Sequence, residues 1–421
     1  MRTASKALLT AALMAPLMAL DTAANAAEPR MEDLISIIDK QQQQIEMLQQ
    51  QLDANRASLD ALRQQVEDNV TATEEVNQKA EILAENIESQ PAVAESATTL
   101  GGYGELHFNM WEDQASDNEK NEVDFHRFVL FLDHEFDDRL RFVSELEIEH
   151  ALSGDGQPGE VELEQAYVEY DWADHHSLKA GLFLVPVGIL NETHEPPTFY
   201  GVERNPVESR IIPTTWWEAG LSFTGSFADA LPYDFAVHSG LDTSAEDKYA
   251  VRAGRQKVAK AGFDSQAATA RLRWLGLPGL ELSASIQYQE DITQNSDPLA
   301  GSAWLYSGHL AWQFRGFGLR ALYARWDLDG EGPASVGADR QEGWYVEPSW
   351  RFNERWGVFA RYNRWDNQAG NGGDTEYAQT DLGVNFWLHP NVVFKFDYQD
   401  QDSPAGKAEW DGWNLGVGYM F

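Results

Sequence analysis

The sequence predicts an all-β transmembrane fold, a 16-stranded antiparallel β-barrel preceded by an N-terminal α-helical coiled coil. Three observations support this prediction. Apolar positions recur every seven residues over 34–90. From Leu100 onward apolar and polar residues alternate instead, which is the period of a β-strand with two different faces. The connections between these alternating segments are short and long in turn, which is typical of barrels that cross a membrane.

The first 26 residues have the features of a signal peptide. Arg2 and Lys6 form a positively charged start, residues 7–20 are apolar, and Ala24-Asn25-Ala26 offers small residues for cleavage. The alternative is an uncleaved membrane anchor, but the apolar stretch is too short to span a bilayer. We therefore expect residues 1–26 to be removed on export.

Residues 27–95 are predicted to form a periplasmic coiled-coil segment with a linker that begins at Pro91. Two sets of positions, seven residues apart, make the apolar seam of a left-handed coiled coil. A helix this polar needs partner helices. Ile at the early positions of the first set, with Gln41, Asn55 and Asn69 interrupting the second set, fits a trimer better than a dimer, although a helical hairpin stays open as an alternative. The first set is Ile38, Ile45, Leu52, Leu59, Val66, Thr73, Ala80 and Ile87, and the second is Leu34, Leu48, Leu62, Val76 and Leu83.

Residues 99–421 are predicted to be the barrel. The last strand shows the alternation well, with Trp413, Leu415 and Val417 on one face and Asn414 and Gly416 on the other. Such strands present one face to lipid and one to the lumen. The sixteen predicted strands begin near residues 99, 123, 139, 160, 177, 216, 232, 266, 279, 301, 316, 341, 354, 376, 390 and 410.

The connection lengths favour a membrane barrel over a soluble β-sandwich. Asp137-Asp138 and His389-Pro390 are examples of tight turns, whereas 187–215 and 242–265 are long. Polar and apolar residues also alternate along the strands of a sandwich, but nothing in a sandwich requires short and long connections to follow each other in turn. Tight periplasmic turns and long external loops are what outer-membrane barrels have.

Composition excludes several classes of function. The chain has no cysteine, so it has no disulfide, thiolate metal site or catalytic thiol, and its formal net charge of −37 opposes nucleic-acid binding. No Ser/His/Asp arrangement stands out, and we predict no enzymatic activity, cofactor or metal site. The fragment Asp327-Leu-Asp329-Gly-Glu331 resembles part of a calcium loop but lacks the other ligands. A barrel of sixteen strands leaves an aqueous channel, which predicts passive diffusion of small hydrophilic solutes and ions.

The third external connection, 187–215, is the longest and is unusually apolar and rich in proline for a solvated loop. We expect it to fold into the lumen and narrow it, because its apolar side could then pack on the wall; an ordinary solvated loop is the alternative. Charges at such a constriction act on partly dehydrated ions. The predicted constriction residues are Glu192, His194, Glu195, Glu203, Arg204, Glu208 and Arg210.

Alternation along the strands predicts which further charges line the pore wall. A charge facing lipid at mid-depth costs about 2–4 kcal/mol for Arg or Lys, so the strand charges are expected inside. Acidic strands on one side and arginines on others would produce a field across the lumen. The predicted wall residues are Arg127, Arg139, Arg141, Glu145, Glu147, Glu149, Glu162, Glu164, Arg271, Arg273, Arg320, Arg361 and Lys395.

Two features resemble known families. The terminal Phe421, with Tyr419 two residues before it, resembles the insertion signal of bacterial outer-membrane proteins. The segments 181–188 (GLFLVPVG) and 203–205 (ERN) resemble the phosphate-selective porins O and P. This resemblance implies a homotrimer of sixteen-stranded barrels in the bacterial outer membrane, each with its third loop inside the lumen.

One departure from the family pattern bears on the solute. The family commonly has a lysine just before the motif's proline, where this chain has Leu184 and Val185. Three functions therefore stay open: a general diffusion porin, an anion- or phosphate-selective channel, and a structural barrel tethered to the envelope by its coiled coil. The expected partners are outer-membrane lipid and lipopolysaccharide, small solutes or ions, and the cell wall through the coiled coil.

Overall fold

The computed structural model describes residues 97–421 and, before them, Gln42, Gln49 and Asp53. Those three residues are helical. The predicted signal peptide (1–26), coiled coil and linker (27–95) otherwise lie outside the described residues. Among the residues that are described, no helix is long and apolar enough to cross a membrane.

Residues 97–421 form a closed barrel in which each strand is hydrogen-bonded to the strands next to it in sequence and β1 closes on β16. All neighbouring pairs are antiparallel, so the predicted 16-stranded antiparallel barrel is confirmed. Every strand begins within four residues of its predicted start. The strands are β1 (Thr98–Asp113), β2 (Glu119–Glu135), β3 (Leu140–Glu149), β4 (Val161–Ala173), β5 (His176–Leu184), β6 (Trp217–Ser226), β7 (Pro232–His238), β8 (Ala267–Leu277), β9 (Leu280–Gln289), β10 (Ala303–Phe314), β11 (Phe317–Leu328), β12 (Arg340–Arg351), β13 (Trp356–Asp366), β14 (Tyr377–His389), β15 (Val392–Asp402) and β16 (Trp410–Met420).

The connections at one end of the barrel are tight turns, and those at the other end include two very long loops. We call the connection between β5 and β6 loop 3 (185–216) and the one between β7 and β8 loop 4 (239–266). The tight turn between β10 and β11 has Arg315 at φ 49° and Gly316 at φ 85°. Two positive φ angles in succession are what a two-residue type I′ hairpin requires.

Four short helices lie in the long connections. Loop 3 contains a 3₁₀ helix (Pro196–Thr198) and α1 (Val207–Arg210), and loop 4 contains a 3₁₀ helix (Val251–Gly254). The connection between β11 and β12 contains α2 (Glu331–Ser335).

Strand alternation separates the two faces of the wall. On β15, Phe394 and Phe396 are exposed on the outside, whereas Lys395 and Asp397 are buried in the barrel interior. This arrangement follows from the pleat, because successive side chains point to opposite faces. The polar interior is thus built by every second residue of each strand.

A β-bulge changes the alternation on β4. Glu145 of β3 pairs with Gln165, but the next residue, Leu146, pairs with Leu163. Glu164 is therefore an extra residue, and its side chain is buried together with the inward-facing wall. A bulge places two residues of one strand opposite one residue of its partner, which explains why the period-two pattern of this segment is blurred in the sequence.

The barrel also contains a hydrophobic core, formed where the long loops cover one part of the inner wall. Ile211 and Trp216 of loop 3 and Leu241 of loop 4 are wholly buried against Leu305 of β10 and Trp326 of β11. The Trp326 indole N–H also donates to the Ile211 carbonyl at 2.9 Å. The inner faces of β10 and β11 are apolar here because they face folded loops rather than water.

Candidate functional site

Loop 3 folds into the barrel and crosses the lumen. On the side nearest its own strands, the Ser285 hydroxyl of β9 donates to the Pro186 carbonyl at 3.1 Å. Arg271 of β8 forms an ion pair with Glu192 of the loop and another with Asp234 of β7 at 2.7 Å. These contacts attach the start of loop 3 to the wall at β7–β9.

The middle of loop 3 reaches the opposite wall. The Val202 backbone N–H donates to Asp397 of β15 at 2.7 Å. Glu203 accepts from Asn109 of β1 at 2.9 Å, and its other contact is His107, whose Nδ1 lies 3.0 Å from Glu203 Oε1. Burial alone would raise the pKa of Glu203. The charge and hydrogen bond of the His107 imidazole outweigh this effect and hold the pKa well below its usual range.

Two glycines on β16 make room for this crossing. A Cβ at Gly418 would stand within 2.2 Å of Pro196, and one at Gly416 would stand 3.1 Å from Val202. The first distance is far inside van der Waals contact. The inner face of the last strand therefore has to lack side chains where the loop passes.

Glu208, on α1, holds the fold of loop 3 together. Its Oε1 accepts the backbone N–H groups of Ile189 and Leu190 at 2.5 and 2.7 Å. Its Oε2 accepts from Asn205 at 3.1 Å and from the Tyr345 hydroxyl of β12 at 2.8 Å. The carboxylate is wholly buried, so these four donors replace the water that it has lost.

Four arginines of loops 3 and 4 form a cluster with no acidic partner within ion-pair distance in residues 97–421. We call them the arginine cluster: Arg204, Arg210, Arg252 and Arg255. Arg252 donates to the backbone carbonyls of Ser209 and Thr214 at 2.8 and 2.9 Å.

Neutral groups also hold Arg204 and Arg255, which are half-buried like Arg252. Arg204 donates to the Thr215 hydroxyl at 2.8 Å and Arg255 to the Thr215 carbonyl at 2.6 Å. Burial, together with the charges of Arg255, Arg210 and Arg204, lowers the pKa of Arg252 to about 9. Arg252 is therefore still charged at neutral pH, and it repels its neighbours.

The inner faces of β3 and β4 form an acidic wall opposite these arginines. Arg204 acts electrostatically on Glu147 and Glu164, and Arg255 acts on Glu149, Glu162 and Glu164. Both partners of each interaction have low or intermediate exposure. The lumen therefore has positive charge on the loop side and negative charge on the β3–β4 side.

Lys257 of loop 4 lies at the border between the two sides. Its ammonium forms ion pairs with Glu160, at 2.5 Å, and with Glu162. The lysine thereby neutralises part of the acidic wall, whereas the arginine cluster retains its charge.

The structure separates the seven predicted constriction residues. Glu192, Glu203 and Glu208 make the contacts described above, and Arg204 and Arg210 belong to the arginine cluster. His194 is buried, with its Nε2 3.3 Å from Glu145 and 3.7 Å from Glu164. The side chain of Glu195 makes no hydrogen bond or ion pair within residues 97–421.

The thirteen predicted wall residues fall into several groups. Arg139 is exposed in the turn before β3, away from the lumen, because β3 begins one residue after it. The others lie on inward-facing positions of their strands or, for Glu164, at the bulge. The inward-facing residues are Arg127, Arg141, Glu145, Glu147, Glu149, Glu162, Arg271, Arg273, Arg320, Arg361 and Lys395.

Several of the wall arginines are neutralised by neighbouring strands. Arg127 pairs with Glu105 at 2.7 Å, and Arg361 pairs with Asp381 at 2.9 Å and with Glu347 at 3.2 Å. Ion pairs of this kind hold adjacent strands together but leave little net charge for a solute.

Sequence reasoning did not single out Arg252, Arg255 and Lys257. Strand alternation gives no information about a loop, and it identifies loop 4 only as a long connection. A signal was present nonetheless, because Arg252, Arg255, Lys257 and Lys260 fall within nine residues of a strongly acidic chain. Lys179 of β5, which faces inward opposite Glu169, was also not identified.

Comparisons with known proteins identify the family of the chain and the fold of its barrel. The family model of the phosphate-selective porins O and P matches residues 111–409. An uncharacterized protein of Aquifex aeolicus (strain VF5) is 29% identical over 354 residues, which are 77% of this chain and 80% of that protein.

Two solved structures show the same fold at low sequence identity. The anion-selective porin from Comamonas acidovorans has a TM-score of 0.56 at 13% identity, with 78% of this chain and 100% of that chain covered. The outer membrane channel DcaP of Acinetobacter baumannii has a TM-score of 0.55 at 13% identity, with 79% and 99% covered.

We expect Glu208→Ala to loosen loop 3. Each buried donor that loses its acceptor costs about 1–3 kcal/mol, so the loop should fluctuate away from β12. In planar bilayers the variant should show higher mean single-channel conductance and more open-channel noise than the wild type. Glu208→Gln should have a smaller effect, because its amide oxygen can still accept from Ile189 and Leu190.

Glu195→Ala is the matched control, since it removes one carboxylate from the same loop without removing a contact. Equal conductance and noise in Glu208→Ala and the wild type would show that the Glu208 hydrogen bonds do not hold the constriction.

Proposed function

Because the chain belongs to the phosphate-selective porin O and P family of outer-membrane channels, we propose that its solute preference is set where the arginine cluster faces the acidic wall. The barrel is an outer-membrane porin through which small hydrophilic solutes and ions pass. One observation supports the proposal: the two sides of the gap carry opposite charges. Loops 3 and 4 supply arginines on one side, and β3 and β4 supply carboxylates on the other.

Such a gap acts on solutes through its transverse field. An anion or the negative end of a dipolar solute moves along the arginines, and a cation moves along the carboxylates. A permeating ion loses part of its hydration shell at a narrow point, so nearby charges affect it more than they would in bulk water. We propose that small dipolar solutes cross in an orientation fixed by this field.

The charge arrangement predicts opposite effects of two variants. Arg204→Ala with Arg255→Ala should shift the zero-current potential toward cation preference, and Glu149→Gln with Glu162→Gln should shift it toward anion preference. One unit charge at about 4 Å contributes about 1 kcal/mol even in a water-like dielectric, so the permeability ratio should change about fivefold or more. The measurement is the zero-current potential of the purified protein in planar bilayers under a salt gradient.

Arg325→Ala is the control, because Arg325 faces outward on β11 and pairs with Asp327 at 2.6 Å. A shift of the same sign in both double variants, or none in either, contradicts the proposed constriction.

A second candidate, an anion- or phosphate-selective channel, is favoured by one specific observation. The arginine cluster has no acidic partner within ion-pair distance in the described barrel, and burial lowers the pKa of Arg252 to about 9. A bound anion would relieve the repulsion among these guanidinium groups. Guanidinium forks also match the geometry of phosphate oxygens.

This candidate predicts that phosphate blocks chloride current. Inorganic phosphate added at constant ionic strength should reduce the chloride conductance of the wild type. In Arg252→Ala the phosphate concentration that blocks half of the current should rise about tenfold or more, because a charge-assisted hydrogen bond contributes about 1.5–3 kcal/mol. Sulfate added at the same charge concentration tests whether the effect is specific to phosphate. Unchanged chloride conductance in the presence of phosphate would leave the general diffusion channel as the function.

We also propose that the protein is a homotrimer whose periplasmic segment 27–95 forms a coiled coil. OmpT of Vibrio cholerae, which has the same fold with a TM-score of 0.52 at 12% identity, has been solved in a trimer form. The heptad pattern of this segment likewise supports three helices, one from each protomer. Contacts of the barrel rim with lipopolysaccharide, and of the coiled coil with the cell wall, belong to this proposal.

The trimer proposal predicts that charges in the apolar seam weaken the assembly. In the full chain, Ile45→Asp, Leu52→Asp and Leu59→Asp together should lower the temperature at which the trimer dissociates on native gels. The matched control places the same three charges outside the seam, as Gln43→Asp, Gln50→Asp and Ala57→Asp. If both triple variants dissociate at the same temperature as the wild type, the segment does not stabilise the trimer. If the seam variant also no longer co-sediments with peptidoglycan, the segment instead tethers the barrel to the cell wall.

A further inference from the structure

Two histidines and an aspartate converge on the inner wall beside loop 3. Asp124 and His126 lie on β2, and His150 directly follows β3. Asp124 Oδ2 is 2.9 Å from Nδ1 of His126 and 2.9 Å from Nδ1 of His150, and Asp124 Oδ1 is 2.8 Å from the latter. The three ligand-type atoms lie within 4.8 Å of one another.

The backbone brings these side chains together by two irregular features. The pairing of β1 with β2 shifts register between Glu105 and His107, which turns His126 inward beside Arg127. His150 has φ 53°, which is rare for a residue other than glycine, and its N–H donates to the His126 carbonyl at 3.2 Å. A backbone conformation of this kind persists only where its surroundings hold it.

We propose that Asp124, His126 and His150 bind a divalent transition-metal ion, Zn²⁺ being the best fit, with a coordination position open to the lumen. Two imidazole nitrogens and a carboxylate oxygen are ligands that Zn²⁺ prefers. In a tetrahedral Zn²⁺ site, ligand atoms stand about 3.3 Å apart. The distances from Asp124 to the two imidazole nitrogens, 2.8–2.9 Å, would have to lengthen by a few tenths of an ångström. The two histidine nitrogens already lie within 4.8 Å of each other.

The environment leaves the site accessible. The side chains of Asp124, His126 and His150 are 20%, 27% and 33% exposed. The neighbouring His107 stacks on His126 with ring centroids 4.6 Å apart. It is not a ligand, because its two nitrogens face Glu105 at 3.3 Å and Glu203 at 3.0 Å; it instead fixes the plane of the His126 ring.

Two other groups of ligand-type side chains on the same wall do not meet these conditions. Glu145, Glu164 and His194 are each almost completely buried beneath loop 3, so an ion has no way in. In the group of Glu149, Glu160 and Glu162, the Lys257 ammonium already contacts two of the three carboxylates. The histidine-containing site therefore combines metal ligands, access and the absence of a competing cation.

The alternative is that the two histidines only donate hydrogen bonds to Asp124. Metal binding by the purified full-length protein separates these accounts. Co²⁺, used as a spectroscopic probe for the Zn²⁺ site, should give the visible absorption of a site with nitrogen ligands and a low coordination number. Zn²⁺ should then displace it.

His126→Gln and His150→Gln should each lose one bound equivalent or bind Zn²⁺ about 100-fold more weakly, since even indirect partners of a metal ligand affect affinity about 10–100-fold. His309→Gln is the matched control, because His309 is another inward-facing histidine that contacts one carboxylate, Glu281, at 3.0 Å. Circular dichroism checks that each variant has folded.

The proposal holds if the control binds Co²⁺ like the wild type and both site variants lose that spectrum. It is overturned if the wild type gives no such spectrum, or if both site variants retain it. Because the readout is binding rather than conductance, the result is independent of the proposed solute preference.

Discussion

A buried carboxylate that has no cation within ion-pair distance in the described barrel holds the fold of loop 3 in place. Glu208 accepts hydrogen bonds from two backbone N–H groups at the start of loop 3 and from the Asn205 side-chain amide just before α1. It also accepts one from the Tyr345 hydroxyl of β12. Gly188, at φ 80°, passes so close that a Cβ would stand 2.6 Å from this carboxylate. The positions of Arg204, Arg252 and Arg255 depend on this fold of the loop, because they donate to backbone carbonyls of loop 3 and to the Thr215 hydroxyl.

The interior of the barrel therefore combines two kinds of packing. On the side of β10 and β11 it resembles the core of a soluble protein, where apolar loop residues cover apolar wall residues. On the side of β3 and β4 the wall stays charged and faces the arginine cluster. The apolar half of the interior supports loops 3 and 4, which carry the guanidinium groups of the arginine cluster. The stability of the apolar packing therefore determines where positive charge stands opposite the acidic wall.

Strand alternation was sufficient to predict the barrel, because the period of two is a property of neighbouring residues. The same alternation predicts that Lys395 and Arg361 belong to the pore wall, and their side chains lie on the inner face of their strands. It could not reveal the bulge at Glu164, which depends on pairing with β3, or the apolar inner face around Leu322 and Trp326, which depends on the loops that cover it. The arginines of loop 4 and the group around His150 arise from contacts distant in sequence, for which a single sequence has no periodic signal.

The crossing of loop 3 to β15 and β16 has a consequence for the order of assembly. Val202 and Asp397 are 195 residues apart in the chain, and Pro196 packs on Gly418, three residues from the C-terminus. Contacts between residues distant in the chain carry a loop-closure entropy cost that local contacts avoid. Loop 3 therefore reaches its final position only when β15 and β16 have joined the wall, so closure of the barrel and placement of the loop belong to one folding step.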